Sequence, residues 1–434
     1  MKRYISPLLL MVFHSFSLSA QDLPVSLKAL KSFSINHADT ASIDSSGNSL
    51  FSSKGINYLA PVIARINRPD SLNRQNLFQA ALEMAFINEY KMSLRYEKMG
   101  YDSMPREAYR EADLYVDTMK TVSFENAARY IISRARRERI VMINEVPYKP
   151  QHRVFVASLL DSLYQQGFRY LAMEIIGNGR GEVISKISML NGWKAAEPIS
   201  GELIRMAIGL GFKVIPYEDQ TPGKYTPTGR AAMEAQKIAD IIRKDSSARI
   251  LVLSGITSSI EKALGDQNWP MAYQLKRFTG HDPLTIDQTE LTEGSNFEYG
   301  RYFYEKLADR IQLKEAMIAF RKDNPVSLLE NDHYDLQVIH PRSGSIRNRP
   351  SWIGMNNNRK EFAIRPTERN MFMVQGYYTN EYSEESLPFL IPADQTISAD
   401  TDGYYYLYLN PGKYTLVYRD MNYQILSIKE ITVM

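Results

Sequence analysis

Glu145, Glu174 and Glu218 each close a short apolar run, in the segments IVMINE (140–145), YLAME (170–174) and KVIPYE (213–218), and a fourth run, ILVLSG (250–255), closes on Ser254 and Gly255. Carboxylates so placed can serve as general bases toward water, hold a cation or fix a ligand by hydrogen bonds. Facing one crevice they would raise one another's pKa unless a cation shares the site. His152, Arg153 and Arg230 are the natural counterions, because they lie near the starts of the helices that follow the first and third runs. The same acids also read as helix caps and surface groups with routine salt bridges, and both readings stand at this point.

For the acids to meet, the runs must be strands of one sheet. They alternate with amphipathic stretches: Phe155, Leu159 and Leu163 step by four before Gly167, and Ala231, Ala235, Ile238 and Ile242 form an apolar face before the fourth run. Crossovers of this length join parallel strands, so the expected fold class is α/β, a mostly parallel sheet with flanking helices. In such sheets ligands bind outside the carboxyl ends of the strands, where the three acids fall. Upstream, Phe78, Leu82, Ala85 and Phe86, then Ala127 to Ile132, recur at helical spacing and predict an N-terminal helical cap. Beyond Asn331 short segments split by Pro, Gly and Asn predict a small all-β domain, a β-sandwich or accessory sheet. There Tyr404 to Leu409 and Tyr414 to Tyr418 flank Asn410-Pro411-Gly412 as a hairpin.

The first twenty residues place Lys2 and Arg3 before an apolar run, Leu8 to Phe13, and end in small residues at Ala20, the layout of a signal peptide. Export to the periplasm or beyond is therefore expected. No segment reaches the about 20 apolar residues that a membrane span needs. The expected division is a signal peptide (1–20), a loosely ordered leader rich in Ser, Asn and Asp (21–71), an α/β hydrolase-like domain (72–330) with its helical cap (72–138), and the β-rich part (331–434). The chain has no cysteine, which excludes a disulfide framework, a thiol nucleophile and a cysteine metal site. A net charge of +3 from 52 basic and 49 acidic residues gives no phosphate-tracking surface, so no nucleic-acid partner is expected. The one basic run, Arg134 to Arg139, reads as a solvated helix end.

The stretch INEVPYKPQHRVFVASLLDSLYQQGFRYLAMEI resembles the opening of the erythromycin esterase, ChaN-like and TraB/Tiki group, whose members begin with a strand ending in G/N-E-x-H and continue through a helix to a strand ending in Glu. TGRAAMEAQKIADIIRKDSSARILVLSGITSSIEK is similar to the group's R-E-x-x-M-A-x-N-I helix and the strand and loop after it, and WPMAYQLKRFTGHDPLTIDQTEL resembles a segment of secreted members. The resemblance implies site positions at Glu145, His152, Arg153, Glu174, Glu218 and Arg230. Against the same pattern Pro147 stands where the first histidine falls, Ala231 where a glutamate follows the arginine, and Ser258 where the loop histidine falls.

A histidine in such a site serves as base or metal ligand because its pKa lies near working pH; proline offers no heteroatom, and serine needs a neighbouring base to become a nucleophile. Of the five histidines that lie beyond the expected signal peptide, at 37, 152, 281, 333 and 340, only His152 falls inside the pattern, so no metal and no cofactor is expected. Three readings follow. The first is an exported, degenerate site that binds a small-molecule ligand or an envelope partner without turnover. The second is a metal-independent hydrolase of esters, lactones or amides in which glutamate activates water. The third, implied by the resemblance alone, is a carrier of haem or another small cofactor. The glycines of IIGNGRGEV (175–183) read as a flexible loop over the crevice, and Asp335 and His340 as the start of the β-rich part, with no catalytic role.

Overall fold

The computed structural model describes residues 51–52, 55–62, 74–99, 110, 114, 116–117, 122–175, 183–218, 226–265, 268–294, 298–327, 333–366, 370–397 and 403–434. The segment expected to be a signal peptide, most of the expected leader, the glycine loop at 177–181 and Asp219, which follows Glu218 at the end of the third run, lie outside the described residues.

A nine-stranded sheet organises the chain. Its strands are β1 (Val122–Asn126), β2 (Ile140–Glu145), β3 (Tyr170–Met173), β4 (Lys213–Pro216), β5 (Ile250–Gly255), β6 (Leu284–Leu291), β7 (Met317–Arg321), β8 (Asn324–Pro325) and β9 (Leu336–Ile339). The order β4-β3-β5-β2-β6-β9 is parallel throughout, and β7, antiparallel to β9, carries β1 and β8. Every residue of β2, β3 and β6 is buried, as expected for strands covered on both faces. The chain leaves β2 toward β3 and leaves β5 toward β6 in opposite directions, so the sheet's switch point lies between β2 and β5. There Glu145 and Gly255 are cross-strand partners.

One face is covered by α3 (Ala127–Ala135), α4 (Pro150–Gln165) and α5 (Pro198–Leu210), the other by α6 (Pro227–Lys244) and α7 (Met271–Thr279). The sequence starts these helices in a consistent way. Proline stands at the first helical position of α4, α5 and α6, where its missing N–H costs nothing, and the side chains of Glu197 and Thr226 cap α5 and α6. On α4, Val154, Phe155, Val156, Leu159, Leu160 and Leu163 are all buried, which fixes the helix against the sheet.

Several boundaries differ from those expected. The stretch expected to be helical does hold α1 (Arg74–Phe86) and α2 (Tyr90–Met99), but β1 falls inside it and extends the sheet edge. Likewise β9, within the stretch assigned to the β-rich part, is a parallel strand of the main sheet. The predicted hairpin is not one: β13 (Tyr405–Leu409) pairs with β10 (Lys360–Ile364), while β14 (Gly412–Arg419) pairs with β11 (Met373–Tyr378) and β15 (Ile425–Val433). The Asn-Pro-Gly turn therefore carries the chain from one sheet to another, and Leu407, Leu409, Tyr414 and Leu416 pack in the core between them. The four-stranded sheet is completed by β12 (Asp394–Ile397) beside β11.

The β-rich part has a core of its own between its sheets and also shares one with the α/β part. Met373, Ile391, Ile397 and Tyr408 belong to the same apolar cluster as α1, α4 and the sheet. Asp394, fully buried, accepts from Asn88 Nδ2 (2.6 Å), Arg349 Nη2 (2.7 Å) and the Tyr408 backbone N–H (2.7 Å). Asn88 adopts φ 64°, which asparagine tolerates better than most residues, and its amide also donates to the Gln395 carbonyl (2.6 Å). Asn88→Ala strands these buried groups and strains the turn, and should lower the unfolding free energy by about 2–4 kcal/mol in a urea titration with one transition. A loss below about 0.5 kcal/mol, or a separate transition for the β-rich part, would contradict the shared core.

Candidate functional site

The strand ends do bring the predicted carboxylates together. The Tyr217 hydroxyl, buried and donating to the Leu253 carbonyl (2.9 Å), is pushed well up by its burial and then by the carboxylates of Glu174, Glu234, Glu218 and Glu145 around it. A side chain at position 255 would meet Glu174: a Cβ there would lie 3.0 Å from Glu174 Oε2, so glycine leaves the room this carboxylate occupies.

Two buried cations divide the acids between them. Arg153, 1% exposed, reaches from α4 to Glu145 (Nε to Oε2 2.7 Å, Nη2 to Oε1 3.2 Å) and to Glu197 (Nη1 to Oε2 3.0 Å). Burial disfavours its charge, but the two carboxylates more than compensate, and its pKa is raised. Glu197 is fully engaged as well: it accepts from the Ile199 and Ser200 backbone N–H groups and from the Tyr90 hydroxyl (3.0 Å). Burial nonetheless pushes its carboxyl up, against the pull of Arg153. Lys194, from the connection between β3 and β4, holds Glu174 (2.8 Å) and Glu218 (3.2 Å). These two carboxylates hold its charge above the ordinary lysine range despite burial.

Glu234, in the second turn of α6, completes the cluster. It is 4% exposed, and its Oε1 has no hydrogen-bond partner among the described residues. Burial first, then the negative neighbours Glu174 and Glu218, push its carboxyl up to about 8. At neutral pH it carries a proton.

Of the predicted counterions, Arg153 does pair with a strand-end acid. Arg230 is exposed and acts only through its charge, favouring ionisation of Glu234 one turn along. His152 is not in the acid cluster. It is fully buried, its Nδ1 accepts from the Val146 backbone N–H (3.1 Å), and its Nε2 has no hydrogen-bond partner among the described residues. Burial, helped by His340, Lys149 and Arg153, pulls it well below the usual histidine range, so it is neutral at working pH. Pro147 is half-buried in the loop before α4, Ala231 half-buried in the first turn of α6, and Ser258 sits in the turn after β5, its N–H bonded to the Gly255 carbonyl (3.1 Å).

Sequence reasoning did not single out Lys194, Glu197, Glu234 or the polar end of β6, and it named His340 without a catalytic role. His340 follows β9 and its ring centroid lies 5.3 Å from that of His152; its Nε2 meets Gln288 Oε1 (3.0 Å), and burial pulls it down to about 3. Asp287, Gln288, Thr289 and Glu290 are all buried. Asn144 binds this group at three atoms, donating to Asp287 Oδ1 (2.8 Å) and accepting from the Gln288 N–H and, through its carbonyl, from Gln288 Nε2. Four consecutive polar residues inside a strand-like run, DQTE, were the available signal. Among the described residues no group of three or more His, Asp and Glu side chains is arranged to hold a metal ion, and no helix is long and apolar enough to cross a membrane.

No family model, curated protein or solved structure matches the chain.

The raised pKa of Glu234 has a consequence for stability. The folded chain holds a proton that the unfolded chain releases near 4.5, so this group's contribution to stability falls as pH rises from about 4.5 to about 8 and then levels off. Glu234→Gln should therefore gain on the wild type across that window, by about 2–4 kcal/mol between pH 4.5 and pH 9 in paired urea titrations. A wild-type-to-variant difference that does not change with pH would show that the carboxyl titrates as an exposed one.

Proposed function

We propose that the chain is an exported, divergent relative of the erythromycin esterase, ChaN-like and TraB/Tiki group whose site binds a small-molecule ligand or an envelope partner without turning it over. The observation that carries this reading is the pairing of Arg153 with Glu145. A general base must reach water with an oxygen, and the first strand-end carboxylate instead faces a buried guanidinium: its Oε1 accepts from Arg153 Nη2 (3.2 Å), and its buried Oε2 lies 2.7 Å from Arg153 Nε in an ion pair without a hydrogen bond. Glu174 and Glu218 are likewise engaged by Lys194. The remaining histidine of the pattern, His152, is sealed in the interior, and Pro147 and Ser258 supply no base in its place.

One observation favours a second reading, a metal-independent hydrolase. Glu234 carries a proton at neutral pH beside the carboxylates of Glu174 and Glu218, and carboxyl groups whose environments differ in this way can divide the roles of acid and base.

A hydrolysis screen over esters, lactones and amides separates the two. The wild type should be silent, and Pro147→His with Ser258→His should introduce measurable turnover. Wild-type turnover abolished by Glu145→Ala would overturn the binding reading, and wild-type turnover abolished by Glu234→Gln would establish the second.

A further inference from the structure

A pocket of about 290 Å³ lies away from the strand-end acids, between α2, the first turn of α4 and the segment 343–352. Its lining holds none of the strand-end carboxylates, although Tyr90 in its wall donates to Glu197 (3.0 Å). Its walls include Tyr90, Tyr148 and Trp352, with the Tyr90 and Trp352 rings 4.9 Å apart, and its lining is more apolar than polar.

One cation in the lining has a donor to spare. Lys149, 8% exposed, has three ammonium donors; one faces Glu97 (3.0 Å) and one the Glu293 carbonyl (2.5 Å), and the third has no partner among the described residues. Arg349, 3% exposed, spends Nη1 on the Tyr406 carbonyl and Nη2 on Asp394, and its Nε is closed off from solvent, so it adds positive charge to the wall but no donor that an occupant can reach. A buried donor left without an acceptor costs about 1–3 kcal/mol, so the spare ammonium proton at the cavity wall points to an occupant that accepts a hydrogen bond.

The acids in the lining narrow its charge. The Glu293 carboxylate is taken by Lys98 (3.3 Å) and the Ser343 N–H (3.1 Å). Glu97 packs so closely on Gly294, φ 69°, that a Cβ there would lie 2.7 Å from its Oε2. One spare ammonium proton beside Glu97 matches a single carboxylate better than a dianion such as phosphate. Burial also pushes Glu97 up to about 7, against the pull of Lys149 and Lys98. The volume is at the low end for ligand sites, which limits the occupant to about one ring and its substituents.

We propose that this pocket binds a small ring-bearing monocarboxylic acid, its ring against Trp352 and Tyr148 and its carboxylate on the spare donor of Lys149. Benzoate and phenylacetate, titrated calorimetrically into the full chain with benzamide as the uncharged control, test it. At least one acid should bind saturably, and at least tenfold more tightly than benzamide. Lys149→Met should abolish that binding. Because this change leaves Glu97 buried without its partner, Ser345→Trp provides a second variant: position 345 is an exposed residue of the pocket lining, the ion pair is untouched, and the bulk should block entry and weaken binding at least tenfold. Absence of saturable binding by either acid, binding that survives both substitutions in folded protein, or equal affinity for benzamide would each overturn the proposal.

Discussion

The guanidinium of Arg153 is the constraint on which the site's geometry rests. It is among the largest fully buried side chains of the protein, and it ties the end of β2, through Glu145, to the start of α5, through Glu197. Glu197 in turn caps α5 and receives the Tyr90 hydroxyl of α2, so one buried charge joins the sheet's switch point, two helices on one face and the helical N-terminal part. Such a group adds little net stability over an apolar core of the same volume, but removing one partner leaves an uncompensated charge in the interior. The Glu145 carboxylate is thereby committed to the ion pair.

The rest of the crevice follows the same pattern. Lys194 serves Glu174 and Glu218 as Arg153 serves Glu145 and Glu197, and Glu234, left without a cation of its own, keeps its proton instead. These are the two ways to place several acids at one sheet edge, and the molecule uses both. The histidine chemistry suggested by the resemblance is absent from this edge: His152 and His340 lie together in a neutral, buried pair bounded by Gln288 and the Val146 amide.

The α/β class, the parallel runs and the gathering of Glu145, Glu174 and Glu218 were legible because apolar runs of four to six residues and four-residue helical steps report burial directly. The strand β6 was not, because its second half is polar: Asp287 to Glu290 are buried through hydrogen bonds with Asn144 and Gln337, and no periodicity announces a buried polar strand. His340 read as part of a separate β-rich domain because the short run Leu336–Ile339 follows a change in composition at Asn331, whereas that run, β9, is the last parallel strand of the main sheet. The counterion of Glu174 and Glu218 could not be found by looking near the strands in sequence, since Lys194 arrives from the long connection between β3 and β4. The Asn-Pro-Gly turn has hairpin chemistry, but β13 finds its partner in β10, across the sequence, where Leu407 and Leu409 can face the second sheet.

The most direct test of the account is a double-mutant cycle on Arg153→Met and Glu145→Gln, read as unfolding free energy in urea at neutral pH. If Arg153 is the buried tie between β2 and α5, Arg153→Met alone should cost about 3–5 kcal/mol, and the double variant should cost less than the sum of the two singles by about 2 kcal/mol or more. Additive effects within about 0.5 kcal/mol would mean that the two side chains do not depend on each other and that Arg153 does not tie the switch point to α5.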